Sequence, residues 1–169
     1  MKNIKDIAGA LSFGAIYTGL ISWLINGCFM LSIALMISMG ILALVVDFEL
    51  FLVVAVSALF AIIFFIVMVI NYVNCEKIKK WMKDAVKLKA FAHAIDNSTT
   101  HTLVFRQQTT KLSVSFEYNN KTIVKESGKK DGAFSVINGY STLFNKYADK
   151  EITILYSPNY DEVILMKHS

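Results

Sequence analysis

Charge is nearly missing from the first part of this chain. Between Ile7 and Ile70 only Asp47 and Glu49 are charged, and they separate two apolar stretches, Ile7–Val46 and Phe51–Ile70. Transporters and proton relays usually carry a charged residue within their spans, so that chemistry is not expected here. Cysteine is scarce too: Cys28 and Cys75 are too few for a disulfide framework. Arginine is reduced to Arg106. The bidentate contacts of a sequence-specific nucleic-acid reader therefore have little to work with, and no nucleic-acid partner is expected. The histidines, His93, His101 and His168, are dispersed. His93 and His101 are placed to face each other across a turn at Asp96–Thr100, but a third ligand is missing and no metal site is expected. Glu117, Asp131, Asp149, Glu151, Asp161 and Glu162 lie among a similar number of lysines, as on a solvated surface. Phosphate loop, nucleophile elbow and zinc motif are all absent from the sequence. No catalytic residue, cofactor or metal is assigned, and the chain does not read as an enzyme.

What is present is apolar length. About twenty apolar residues suffice to cross a bilayer as a helix. Residues 23–72 read as a transmembrane α-helical hairpin turning at 47–50. Its second span, Phe51 to Tyr72, is about 22 residues or about 33 Å long. Trp23 and Tyr72 then share one headgroup level, which suits their amphipathic rings. The small residues Ser32, Ser38, Gly40, Ser57, Ala58 and Ala61 allow close helix approach. They pack the hairpin against itself or, alternatively, against another copy in a homo-oligomer. Residues 1–22 are apolar but dotted with Gly9, Ser12, Gly14, Thr18 and Gly19. An interfacial helix or an extension of the first span is preferred there over a third span, which would turn tightly at Asn26-Gly27 and place Lys2 and Lys5 outside.

The net charge of +4 has a location. Residues 76–89 hold six lysines against Glu76 and Asp84, and the rest of the chain nearly cancels. A basic flank beside a span marks the cytoplasmic side of the membrane. Residues 73–85 read as a basic juxtamembrane helix whose Ile78, Trp81 and Met82 share a face. Lys77, Lys79, Lys80, Trp81 and Lys83 form a candidate lipid-facing collar for anionic headgroups.

From residue 86 the hydrophobic period changes to two. Strands are expected near 85–96, 102–107, 111–118, 121–126, 151–156 and 161–167, with a hairpin at Asn119-Asn120 and a polar loop at 127–132. Tyr140 to Tyr147 suits one or two helical turns. The fold class is membrane α+β: the helical hairpin followed by a small antiparallel β-barrel or sandwich at 86–169. Aromatic residues such as Phe105, Phe116, Phe134 and Phe144 supply its core, leaving Tyr140 and Tyr160 as a candidate partner patch.

The stretch Lys146–Leu165, KYADKEITILYSPNYDEVIL, and the hairpin Val114–Thr122, VSFEYNNKT, resemble the closing and central hairpins of the bacterial family called domain of unknown function 3592. Ala148 and Asn120 stand where that family has glycine, Ser157 where it has aspartate, and Tyr160 where it has a second proline. The resemblance implies a membrane-anchored small β domain and carries no activity or catalytic residue.

The reading that results is a non-catalytic inner-membrane protein displaying a cytoplasmic β module that binds a protein or lipid at the membrane surface. Two alternatives stand beside it. One is a membrane immunity protein whose hairpin recognises a toxin; the other is an accessory subunit of a transport or signalling complex.

Overall fold

The computed structural model describes residues 3–45, 51–101, 106–128 and 139–167. The turn expected at 47–50 lies outside these residues, as do Phe105, Asp131, Phe134, His168 and most of the loop expected at 127–132. The chain divides into two units, Tyr17–Val73 and Met1–Ile16 with Asn74–Ser169.

The first unit holds helix α1 (Leu20–Val45, 26 residues) and most of α2 (Phe51–Trp81, 31 residues). Both are long and apolar enough to cross a membrane. At 1.5 Å per residue they measure about 39 and about 47 Å. Large apolar side chains including Leu24, Met30, Leu44, Leu52 and Phe60 are exposed along them. The buried positions are mostly small: Ser32 and Ala43 on α1, Ser57 and Ala61 on α2. Ser38 is exposed, and a Cβ added at Gly40 would meet nothing. The Phe29 and Phe65 rings meet at 5.9 Å. Just ahead of α1, residues 17–19 are not helical, and their backbone needs other partners. The Asn71 side chain supplies both. Its Oδ1 accepts from the Tyr17 N–H at 2.8 Å, and its Nδ2 donates to the Tyr17 carbonyl at 2.9 Å.

The second unit is built on one antiparallel sheet. Its strands are β1 (Ile7–Ala10), β2 (Gly14–Ala15), β3 (Val86–His101), β4 (Arg106–Tyr118), β5 (Lys121–Glu126), β6 (Tyr140–Ser141), β7 (Lys150–Ser157) and β8 (Glu162–Met166). Their order is β2-β1-β8-β7-β3-β4-β5, with β6 also on β4, and the sheet curls into a nearly closed barrel. Period-two alternation fills the interior. Ala90 and Ala92, Leu112, Val114 and Phe116, Ile152, Ile154 and Tyr156, and Val163 and Leu165 all point inward, around Phe144 and Tyr147. The opposite faces of β7, β8 and β1 are buried as well. Leu155, Ile164, Ile7 and Ala10 form a second cluster with Phe13, Ile16, Ile78 and Ala85. The β4–β5 turn places both Asn119 and Asn120 at positive φ (50° and 58°), as a two-residue I′ hairpin requires.

Several expectations are corrected. Residues 7–16 form a β-hairpin, not an interfacial or third helix. Gly9 is needed there, because a Cβ would collide with the Gly14 carbonyl across the turn. β1 pairs with β8 through Ile7↔Met166, Gly9↔Leu165 and Ala10↔Ile164. A strand buried on both faces reads as a continuous apolar run, so its sequence mimics a membrane segment. The basic helix read at 73–85 does continue out of the second span, as the end of α2, because nothing between Tyr72 and Trp81 breaks it; only its last residues differ, since the helix ends at Trp81 and 82–84 is a turn. Asp96–Thr100 is strand, not turn, and β4 runs unbroken through the polar Gln107–Lys111; residues 102–105 of the strand expected near 102–107 lie outside the described residues. Tyr140 and Ser141 are extended, and the only helical turn in the described part of 140–147 is a 3-10 turn at Phe144–Lys146.

Candidate functional site

Two features of the β unit stand out from the barrel itself. The first is a ribbon. β7 covers β3 only over Val86–Ala92, while β5 and β6 cover β4 only over Ser113–Tyr118 and Thr110–Lys111. β3 and β4 nevertheless remain paired as far as His101↔Arg106, past a bulge between Ala94 and Asp96. Residues 97–101 and 106–109 are thus a two-stranded arm with no strand on either outer edge among the described residues. Its sequence, NSTTH and RQQT, has the β-branched threonines that favour strand, and it lacks the lysines and prolines that commonly guard exposed edges.

Polar struts hold the base of the ribbon. Thr110 Oγ1 bonds to both Asn97 and Asn145, and Asn145 Nδ2 donates to the Gln108 carbonyl at 2.6 Å. The Tyr140 hydroxyl donates to Asp96 Oδ2 at 2.5 Å. That bond, helped by the Asn97 N–H, holds the Asp96 carboxyl below the usual carboxylate range. The same bond raises Tyr140. Tyr140 is therefore a strut of the ribbon and not half of a loose tyrosine patch. Tyr160, 48% exposed, sits in the β7–β8 turn. That turn follows Tyr156, which pairs with Val86, whereas Asp96 lies ten residues further along β3, about 33 Å of strand. The two tyrosines belong to opposite ends of the barrel.

The second feature is a cleft of about 180 Å³ at the seam where the sheet fails to close. Leu11 and Ser12 after β1 form one wall, Lys125 and Glu126 of β5 a second, and Asp161 and Glu162 at the start of β8 a third. Lys125 pairs with Asp161 Oδ2, and the Tyr156 hydroxyl donates to Asp161 Oδ1 at 2.8 Å. Burial, then the Asp161 carboxylate, pushes the Tyr156 hydroxyl up to about 12. None of these groups was singled out by spacing in the sequence as a site, because the three walls come from distant segments. The one usable signal was Ser12, a hydroxyl inside an apolar run.

The collar residues divide. Ile78 is fully buried, and Trp81 meets Phe13 at 5.5 Å between ring centroids. That apolar face packs on β1, β7 and β8 and is not free to lie on lipid. Lys79, Lys80 and Lys83 are exposed, with Lys79 bonded to Glu76 at 2.5 Å, and Lys77 is half-buried. Asp84 ends the collar by accepting from Ser157 Oγ at 3.0 Å and from the Asn159 N–H at 3.3 Å. His93 lies 3.8 Å from Asp149, and both are well exposed. With 96–100 in strand, His93 and His101 do not meet across a turn; they are eight residues apart on β3. Among the described residues no three His, Cys, Asp or Glu side chains could hold a metal ion. No family model, no curated protein and no solved structure matches this chain.

Proposed function

We propose that this is a two-span protein of the bacterial inner membrane that displays its β unit in the cytoplasm and, without catalysis, binds a protein partner there through the β3–β4 ribbon. The ribbon is the observation that carries the binding role. A strand edge offers a row of main-chain donors and acceptors, and a second polypeptide strand satisfies them. Pairing of β1 with β8 supports an even number of spans, since the residues ahead of α1 and those behind α2 share one sheet. Both then lie on one side of the bilayer. The lysines of the collar favour the cytoplasmic side, and the exposed Lys80 and Lys83 meet anionic headgroups there. The likeness of the closing hairpin to domain of unknown function 3592 agrees with this plan.

Two measurements test the proposal. Cysteines placed at Lys5 and Lys150 should label from the same side of sealed vesicles; labelling from opposite sides overturns the topology. A photocrosslinker at Thr99, used in native membranes, should capture a discrete protein that the same probe at Glu117 does not. Absence of a Thr99-dependent adduct overturns the binding role.

A further inference from the structure

The two outer edges of the ribbon are not equivalent. On the β4 side, Thr110 and Lys111 pair with β6, and the Asn145 side chain takes the Gln108 carbonyl. In an antiparallel ladder, directly opposed residues turn their N–H and C=O groups either towards each other or both away. The Gln108 carbonyl faces outward, so its partner Thr99 presents its own N–H and C=O on the outer edge of β3. Asn97 and His101, two residues to either side, do the same. At the foot of this edge carboxylates of the same chain close two donors. Asp149 Oδ1 accepts from the Ala94 N–H at 3.2 Å, and Asp96 Oδ1 from the Asn97 N–H at 2.8 Å. The Asn97 carbonyl and both main-chain groups of Thr99 and His101 have no strand beside them among the described residues.

Three outward residues centred on Thr99 make a symmetric row, and a two-fold axis sets identical strands antiparallel. With the axis at Thr99, each Thr99 N–H meets the carbonyl of the other Thr99. Each His101 N–H meets the Asn97 carbonyl of the second copy, while the Asn97 N–H stays on Asp96. An axis at Ser98 would instead set His101 against residue 95, inside the bulge. Residues 97–101 contain no Asp, Glu, Lys or Arg, so two copies meet here without opposed like charges. Edges that must stay single usually carry such charges. Two copies in one bilayer also hold their ribbons on the same side, as a two-fold axis along the bilayer normal requires.

We propose that the ribbon's partner is a second copy of this chain, the two β3 strands pairing antiparallel about a two-fold axis at Thr99. The inference rests on the binding role of the ribbon and names its occupant.

The test uses the purified full chain in liposomes of phosphatidylethanolamine and phosphatidylglycerol, with Cys28→Ser and Cys75→Ala removing the native thiols. Opposed Thr99 Cα atoms would lie about 5.5 Å apart, within disulfide reach, so Thr99→Cys should give a covalent dimer on oxidation. Asn97→Cys alone and His101→Cys alone should not, because each is offset from its own copy by about 13 Å of strand. Mixing those two chains should restore the dimer. Thr99→Pro removes the outward N–H and spares the β3–β4 ladder, and should cut energy transfer between labelled copies about tenfold. Thr99→Lys, which opposes two charges, should lower it without altering the backbone. The self-pairing is overturned by equal crosslinking at 97, 99 and 101, by no Thr99-dependent dimer, or by unchanged transfer in both variants. If native membranes then still yield a Thr99 adduct with another protein, the binding role stands and only the second copy is excluded. If they yield none, both fall.

Discussion

Residues 7–16 and Leu20–Val45 are neighbours in sequence, similarly apolar, and almost free of charge, yet they end in opposite environments. The first is a hairpin with Ile7, Ala10 and Leu11 nearly inaccessible, buried between the barrel interior and a second cluster. The second is a helix whose large side chains stay exposed. Hydropathy does not separate them. What separates them is a partner: β8 offers an open edge about 150 residues later to a segment whose glycines permit a tight return, whereas α1 meets its backbone needs internally. A helix needs no neighbour for its main chain; a strand does.

The comparison can be broken most severely at Ala10. Ala10→Asp leaves an unpaired charge between two apolar layers and should cost about 3–5 kcal/mol, seen as loss of the near-UV signal of the β unit on mild heating. A neutral result would mean that β1 is not held on both faces. A milder pair applies one change in two contexts. Ala10→Leu overpacks the strand and should cost about 1–3 kcal/mol, whereas Ala34→Leu, at an exposed position of α1, should stay within about 0.5 kcal/mol. Denaturant midpoints compare them directly.

Asn71→Leu comes next, at about 1–3 kcal/mol of local stability, because both main-chain groups of Tyr17 lose their partner. Faster hydrogen exchange at the Tyr17 amide would report it, and unchanged exchange would show the clamp to be dispensable.

The smallest effect is a pH dependence. The Tyr156 hydroxyl is raised from 10.0 to about 12, so the folded state favours its protonated form. That contribution is complete below the ordinary tyrosine value and is lost as pH climbs from about 10 towards about 12. Asp161→Asn should return part of the shift, because burial, its largest cause, remains. Phenolate absorbance against pH checks this; an unchanged midpoint in the variant would remove Asp161 from the account.

Much of the barrel is legible in the sequence because its strands alternate over short local stretches. Thr122 to Glu126, Ile152 to Tyr156 and the Asn119-Asn120 turn all announce themselves within a few residues. The hairpin at Ile7–Ala15 does not, because burial of both faces erases the alternation. Nor does the ribbon, whose Asn, Thr and Gln residues resemble a loop until their pairing is known. The cleft is illegible for another reason: Ser12, Lys125 and Asp161 become neighbours only through the order of strands β1, β8 and β5.

The pairing of β1 with β8 also makes the β unit discontinuous in sequence. A polypeptide starting at residue 86 would present Leu155 and Ile164 to water and lose an edge of its sheet. The two pieces are nevertheless stitched closely at their far ends, where the Lys167 N–H donates to the Asp6 carbonyl at 2.8 Å and its Nζ to the Lys5 carbonyl at 2.7 Å. A circular permutant follows from this geometry. Starting at Asn74, running to Lys167 and joined by a short Gly/Ser linker to Asn3–Ile16, it would contain every strand of the sheet and neither full-length apolar helix.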